Sequence, residues 1–430
     1  MERKMQKELL EWKKSSDRRP LLLYGARQVG KTYLILSFGK SFYKNVVYLN
    51  FEGNSDLNQI FERDLNPHRI VSELSIIAGQ SIFAGDTLIF FDEIQASEKA
   101  LTSLKYFCEN APEYHVVAAG SLLGVAINRK NYSFPVGKIE MKTLHPLDFE
   151  EFIWATTGRE LALAIRECFA NNKEFSLHQK ALAHFRNYLI VGGMPAAVKE
   201  FVDTNDFDFV SAKQKNIFDA YLADMAKYAS PTETTKMMAA FRSIPAQLAK
   251  ENKKFQYKVI KSGARANEYE TALDWLVAAN VVTKCMRVTE GRMPLAIHTD
   301  NSAFKVYMAD IGLFCQHFNI PRNVIQNESV GYENFKGMFA ENYAAIALTI
   351  AGHQIYYWTS AGQAELDFVI QKDNGDIVPI EVKSSTNVRS KSLSEFVKRY
   401  KPSYAIRIST KNFGFENGIQ SVPLYAAFCI

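Results

Sequence analysis

Apolar residues recur along this chain with two different periods. Pro20 to Tyr24 form an apolar run that predicts a buried strand, and Tyr33 to Phe38 carry apolar residues densely enough for a buried helix. Leu88 to Phe91, within "DTLIFFDEIQ", predict a second fully buried strand, and "YHVVAAGS" predicts a third that ends at Ser121. Residues 151 to 230 are rich in helix formers, with a clear break at "GGMP", Gly192 to Pro195. From about Phe255 the pattern predicts a short helix, a turn at Gly263 and a longer helix. In that longer helix Asn267 is the N-cap, Glu270 stands at N3, and Tyr269, Leu273, Leu276 and Val277 share one face. Two strand-like pieces, "VVTKCMRV" and "PLAIHT", follow, joined by "TEGRM". The last hundred residues open on a helix-like stretch, "GMFAENYAAIALTIAG", continue through "AELDFVI" and the alternating "VPIEVKSS", and reach an amphipathic helix carrying Leu393, Phe396, Val397 and Tyr400.

One interruption of good core material points to chemistry. "GARQVGKT" sits at the first strand-to-helix junction and fits G-x-x-x-x-G-K-[ST]. Gly25 and Gly30 let the backbone wrap a phosphate, and the helix N-terminus aims its amides at the anion. Lys31 is then placed to reach the β- and γ-phosphates of ATP, and Thr32 to ligate Mg²⁺. A nucleotide hydrolase also needs an acidic residue at the end of a neighbouring strand. Asp92 is placed to hold the magnesium shell and Glu93 to polarise the attacking water. Helix capping by Asp92 and Glu93 is the plain alternative, but it leaves unexplained why both motifs occur, in this order, about sixty residues apart. Ser121, after the third strand, is placed to sense the γ-phosphate.

A second constellation is acidic. Glu341 lies in the helix-like stretch, Asp367 in "AELDFVI", and Glu381 and Lys383 stand two apart in a strand, so they share a face while Ile380 and Val382 point the other way. Paired carboxylates beside a lysine can hold one or two divalent metals and orient water toward a phosphodiester. An alternating strand with charges on its wet side would write the same "IEVK".

"LLLYGARQVGKT", "IFFDEIQ", "AAGSLLG", "GKIEMKTLHPLDFEEFI" and "YLIVGGMPAAV", together spanning residues 20 to 200, resemble the AAA-type P-loop ATPases of bacteria and archaea that carry a C-terminal domain of unknown function. The resemblance implies a sensor role for Ser121 and a helical lid entered through Pro146, Leu147 and Phe149. It implies a winged helix where the helix, turn, helix and ribbon stand, closed by "KVYMADIGL", to which no chemistry of Asp310 is attached. From about residue 335, the order Glu341, Asp367, Glu381-x-Lys383 resembles the PD-(D/E)xK nuclease fold. The expected class is α/β: a P-loop NTPase parallel sheet in residues 1–150, a helical lid in 151–230, a winged-helix module in 231–330 and a small nuclease-like domain in 331–430. A single sequence promotes none of Arg129, Lys138 and Arg159 to the cation that a neighbouring subunit would contribute.

Bulk properties bound these expectations. A length of 430 residues, 47% of them hydrophobic, suits two to four domains. The net charge of +5 permits a nucleic-acid partner without demanding one. Lys250, Lys253, Lys254, Lys258, Lys261 and Arg265 cluster near the winged-helix segment, and Arg389, Lys391, Lys398, Arg399, Lys401 and Arg407 follow the acidic one. Each set is either a phosphate-contacting surface or a solvated face. Five scattered cysteines with no C-x-x-C pair argue against a disulfide framework and a zinc site, and fit a reducing cytoplasm. His178 and His184 have no partner at ligand spacing. Neither a signal-like N-terminus nor a membrane-length apolar run is present. The expectation is an ATP- and Mg²⁺-dependent hydrolase whose nucleotide state controls modules acting on DNA or RNA, with a homo-oligomer as its setting. A non-cleaving switch that grips a protein or DNA partner is the alternative.

Overall fold

The computed structural model describes all residues except 122–133, 251–252, 329–330, 361–363 and 386–390. Arg129 and Arg389, and the end of "AAGSLLG", lie outside the described residues. The chain divides into a smaller unit, residues 1–145 with 278–280, and a larger one, residues 146–277 with 281–430.

The smaller unit is built on β1 (Leu21–Tyr24), β2 (Asn45–Asn50), β3 (Thr87–Asp92), β4 (His115–Gly120) and β5 (Glu140–Thr143), in the order β2-β3-β4-β1-β5. Every pairing is parallel. β3 and β4 are buried at all positions, as a sheet covered on both faces requires. The covering helices carry their own start and stop signals. In Pro67–Ala78, Asn66 accepts the amides of His68 and Arg69, proline takes the first position, and Gly79 ends the helix in the left-handed conformation. Phe51, Phe61 and Phe91 meet at centroid separations of 5.4 to 5.8 Å, near the edge-to-face geometry that aromatic quadrupoles favour.

The larger unit begins as helices: Phe149–Thr157, opened by a capping box of Asp148 and Glu151, then Glu160–Asn171, His178–Val191, Pro195–Thr204, Phe207–Tyr228 and Pro231–Leu248. Tyr257–Ile260 and Ala266–Ala278 follow. The latter starts at Ala266, so Asn267 lies inside its first turn and is not the expected N-cap. An eight-stranded sheet completes the unit, from β6 (Val282–Val288), β7 (Thr299–Met308), β8 (Tyr356–Thr359), β9 (Glu365–Gln371), β10 (Ile377–Val382), β11 (Ala405–Ser409), β12 (Gly414–Glu416) and β13 (Ile419–Pro423). Its order is β12-β13-β11-β10-β9-β8-β6-β7, so the antiparallel β6–β7 ribbon joins the C-terminal strands through a parallel β6–β8 pair. "PLAIHT" is not the second strand of that ribbon. Leu295–His298 is a 3-10 turn with Ile297 exposed, and the strand runs from Thr299, where Ala303 to Met308 are all buried.

A hydrogen-bonded node holds the start of this unit. Asp310 caps the helix Ile311–Phe318 through the Leu313 amide at 2.8 Å and takes the Gly193 amide at 2.7 Å. The Leu147 amide donates to the Gly193 carbonyl at 2.7 Å, and the Tyr188 hydroxyl to the Leu147 carbonyl at 2.7 Å. A Cβ at Gly193 would stand 1.9 Å from the Leu147 carbonyl oxygen, so glycine alone fits. At the far end of β7, Asn342 receives the Met308 amide and donates to the Met308 carbonyl, standing in for a strand neighbour.

Candidate functional sites

In the smaller unit the carboxyl ends of β1, β3 and β4 carry the motif residues. Gly25 has φ +145°, and a Cβ there would meet the Leu144 carbonyl oxygen at 2.1 Å, so this glycine serves close packing against the residue after β5. Gln28 and Gly30 are left-handed, and the turn they make starts the helix Lys31–Phe42. The first amides of any helix lack intrahelical acceptors. The Lys31 ammonium folds back over that loop, donating to the carbonyls of Gly25 and Ala26 at 2.9 Å each.

Asp92 gathers three donors. Thr32 Oγ1 donates to Oδ2 at 2.8 Å, the Tyr48 hydroxyl donates to the same oxygen at 3.1 Å, and the Glu93 amide donates to Oδ1 at 3.1 Å. Glu93 itself is left-handed, φ +50°, a conformation that costs a non-glycine residue about 1–2 kcal/mol and concentrates at functional sites. Gln95 Nε2 donates to Glu93 Oε2 at 2.5 Å. Ser121 is buried, one residue past the Tyr24–Gly120 register pair, at the height of Gly25. Tyr48 was not foreseeable from the motifs. Its signal is positional, since β2 pairs with β3 and Asn50 is level with Asp92. Burial first, then Asp92, pushes the Tyr48 hydroxyl pKa up. Lys138 pairs with Glu109 at 3.0 Å, and the Arg159 guanidinium lies 4.7 Å from the Trp154 ring centre.

In the larger unit the acidic residues come together with more lysines than the sequence advertised. Glu341 is buried on the helix Lys336–Ile350. Its Oε1 accepts the Tyr307 hydroxyl at 2.6 Å and the Lys305 ammonium at 3.1 Å, while Oε2 is closed by Lys253. Lys305 is fully buried and also pairs with Glu365 at 2.6 Å. Burial opposes the charge on Lys305, but Glu341, Glu365 and Asp367 outweigh it and hold its pKa well above the ordinary lysine value. Burial likewise opposes ionisation of Glu341, and Lys305 and Lys253 reverse it, holding its pKa below the carboxylate range. Asp367 goes the other way: burial, then Glu341 and Glu381, push it up. The Val382 amide donates to Asp367 Oδ2 at 2.8 Å. Glu381 Oε1 pairs with Lys383 at 2.6 Å, and its buried Oε2 has no hydrogen-bond partner among the described residues. Arg407 is level with Glu381 on the neighbouring β11.

This arrangement corrects two expectations. Glu341 does not face an open cation site with Asp367 and Glu381, because both its oxygens are taken by Lys253, Lys305 and Tyr307. Among the described residues no group of three or more His, Cys, Asp or Glu is placed to hold a metal ion, so the expected second divalent metal has no donor set here. Lys253, expected on either a phosphate-contacting surface or a solvated face, turns inward, whereas Lys250, Lys258, Lys261 and Arg265 remain exposed. His178 bonds the Tyr425 hydroxyl and the Thr410 carbonyl.

Comparison with known proteins finds three matching segments. Residues 17–153 match the AAA domain family, residues 182–323 a domain of unknown function (DUF8612), and residues 336–427 another domain of unknown function (DUF4143). Residues 17–153 are thus similar to an AAA-type P-loop domain. That segment contains all seven motif residues, Gly25, Gly30, Lys31, Thr32, Asp92, Glu93 and Ser121. Among solved structures, the chain is similar to a Walker-type ATPase of Pyrococcus abyssi, at 15% identity over 74% of this chain and 95% of that one, with TM-score 0.44. It is also similar to the ORC2 protein of Aeropyrum pernix, at 11% identity over 80% and 95%, with TM-score 0.34. The RuvB Holliday junction branch migration motor of Thermotoga maritima matches at 14% identity over 74% and 95%, with TM-score 0.30. No curated protein matches the chain. Among the described residues no helix is long and apolar enough to cross a membrane.

Proposed function

We propose that the smaller unit binds and hydrolyses ATP and that its nucleotide state controls the larger one. The observation that carries this reading is the 2.8 Å bond from Thr32 to Asp92, which joins the two nucleotide motifs at the carboxyl ends of parallel strands beside Lys31. Lys31 leaves the Gly25 and Ala26 carbonyls to take phosphate oxygens, and the loop amides cradle the rest of the chain of phosphates. Thr32 and Asp92, a hydroxyl and a carboxylate already in contact, fit a hard oxygen-preferring ion and would hold Mg²⁺. When bound, that ion neutralises charge building on the phosphates. Glu93 orients the attacking water and accepts its proton, and Ser121 registers the γ-phosphate. Lys31→Ala abolishes ATP binding in equilibrium titration; nanomolar binding by that variant would sink the assignment.

The larger unit is read as acting on nucleic acid. The helices Pro231–Leu248, Tyr257–Ile260 and Ala266–Ala278 with the β6–β7 ribbon support a winged helix, and four exposed basic residues flank them. The order helix Lys336–Ile350, antiparallel β8-β9-β10, helix Lys391–Tyr400 and parallel β11 supports the nuclease-like resemblance. The lysine-occupied Glu341 favours gripping over cutting. Incubation with single- and double-stranded DNA and RNA in Mg²⁺ and Mn²⁺ tests this, with no cleavage expected; cleavage that disappears in Glu381→Ala would restore the nuclease. A homo-oligomer is the expected setting, checked by sedimentation with and without ATP.

A further inference from the structure

A cavity of about 310 Å³ opens in the larger unit on residues that neither the ATPase motifs nor the acid–lysine cluster uses. Its walls are of two kinds. Leu182, Phe185 and Leu189, from the helix His178–Val191, and Phe339, from the helix Lys336–Ile350, make an apolar side. Arg186, Lys336, Ser384, Ser385 and Thr410 make a polar, cationic side. A volume in this range with a few convergent polar groups on an apolar lining is that of a small-molecule site.

The fold explains why those polar groups converge. Ser384 and Ser385 follow the carboxyl end of β10 and Thr410 follows that of β11, and the two strands are parallel neighbours, the place where open sheets bind ligands. Lys336 is the first residue of a 15-residue helix, so its ammonium and the helix's positive end act together on the same side. His178 fixes the Thr410 turn by bonding its carbonyl at 3.0 Å. The two cations are mostly buried, and their partners lie at the rim. Arg186, 24% exposed, pairs with Glu328 at 3.1 Å, and Lys336, 14% exposed, with Glu333 at 2.6 Å, both acids being more than half exposed. The exposed acids are the members of these pairs that a doubly charged anion would displace. Of these acids only Glu328 lines the cavity, which leaves the lining one positive charge in excess.

We propose that this cavity binds a phosphate monoester carried on a flat apolar body, with the dimensions of a nucleoside monophosphate. Arg186 and Lys336 take the phosphate with the Ser384 and Ser385 hydroxyls, and the Phe185 and Phe339 side takes the ring. The same chemistry is offered by a free nucleotide and by the 5′-phosphorylated end of a nucleic-acid strand.

Calorimetric titration of the full chain carrying Lys31→Ala tests the proposal with the ATPase site silenced, so failure here and failure of the ATPase assignment are distinguishable. The probes are AMP, adenosine, and a short oligodeoxyadenylate with and without its 5′-phosphate. One site per chain is expected, with the phosphorylated member of a pair bound at least about tenfold more tightly, or about 1.4 kcal/mol. Whichever pair shows the preference identifies the source. Lys336→Met, with an unchanged melting temperature, lowers that affinity about tenfold, whereas Glu328→Gln, at an exposed side chain, raises it several-fold by removing the competing acid. Absence of saturable binding by both phosphorylated probes overturns the proposal, and so does an affinity that Glu328→Gln leaves unchanged.

Discussion

Lys253 closes on Glu341 across 88 residues of sequence, while Lys305, with two strands of sheet between its own and that of Asp367, holds the other oxygen of the same carboxylate. Three of the four acids in this cluster thus have a lysine in direct contact: Glu341 with Lys253 and Lys305, Glu365 with Lys305, and Glu381 with Lys383. The fourth, Asp367, is the one whose protonated form the surroundings favour.

Removing one partner of a buried pair leaves a charge without compensation, at a cost of about 3–5 kcal/mol. Lys305→Met is expected to destabilise the larger unit by that amount in urea unfolding. Lys253→Met costs less, because Lys253 is partly exposed and Lys305 remains. The double change Lys305→Met with Glu341→Met recovers most of the loss, since it removes charge and counter-charge together.

At the nucleotide site, Glu93→Gln keeps ATP binding and lowers turnover by a factor of about 10²–10⁴, the range for loss of a positioned base. Tyr48→Phe removes one of three donors to Asp92 and lowers turnover by less than about tenfold, in line with one hydrogen bond of about 0.5–1.5 kcal/mol. Steady-state phosphate release measures both.

Gly193→Ala is expected to cost about 3 kcal/mol or more, because its Cβ would overlap the backbone carbonyl of Leu147, which cannot rotate away as a side chain could. Thermal denaturation reads the loss. Gly418→Ala, at positive φ but with open space around the new methyl, costs about 1–2 kcal/mol from backbone strain alone.

His115 makes the smaller unit acid-sensitive. Its Nδ1 lies 2.7 Å from the Tyr43 hydroxyl, the Trp12 ring meets it edge-on, and burial, then Arg18 and Lys13, lower its pKa to about 4. The unfolded chain therefore takes the proton first as pH falls. The stabilisation is complete above about pH 6.5 and is lost progressively toward pH 4, by up to about 3 kcal/mol. Unfolding followed between pH 4 and 7 gives this slope, and His115→Gln flattens it.

The nucleotide motifs were legible because each lies within one short segment at a strand end, where the types and spacing of residues carry the chemistry. The helical character of residues 151–230 and the first strand of the ribbon after Ala278 were legible from periodicity. Gly25 was read for the right place and an incomplete reason, since its missing Cβ also makes room for Leu144. Lys253, Lys305 and Tyr307 were not legible. A lysine in "AFKVYM" looks like the wet position of an alternating strand, and only the covering of both faces of β7 turns it into a buried counter-ion. The same tertiary covering drew Glu341 away from a metal. "PLAIHT" failed because alternation without a pairing partner is indistinguishable from a turn with apolar residues.

The node at Gly193 and Asp310 leaves the backbone no slack. Leu147 is pinned to Gly193, Gly193 to Asp310, and Asp310 follows by two residues the strand end that Asn342 clasps, one position from Glu341. The entry of the larger unit and its acid–lysine centre are therefore geared rather than hinged: a shift of Leu147 cannot dissipate in a soft loop and arrives at Glu341 as a turn of the same shaft.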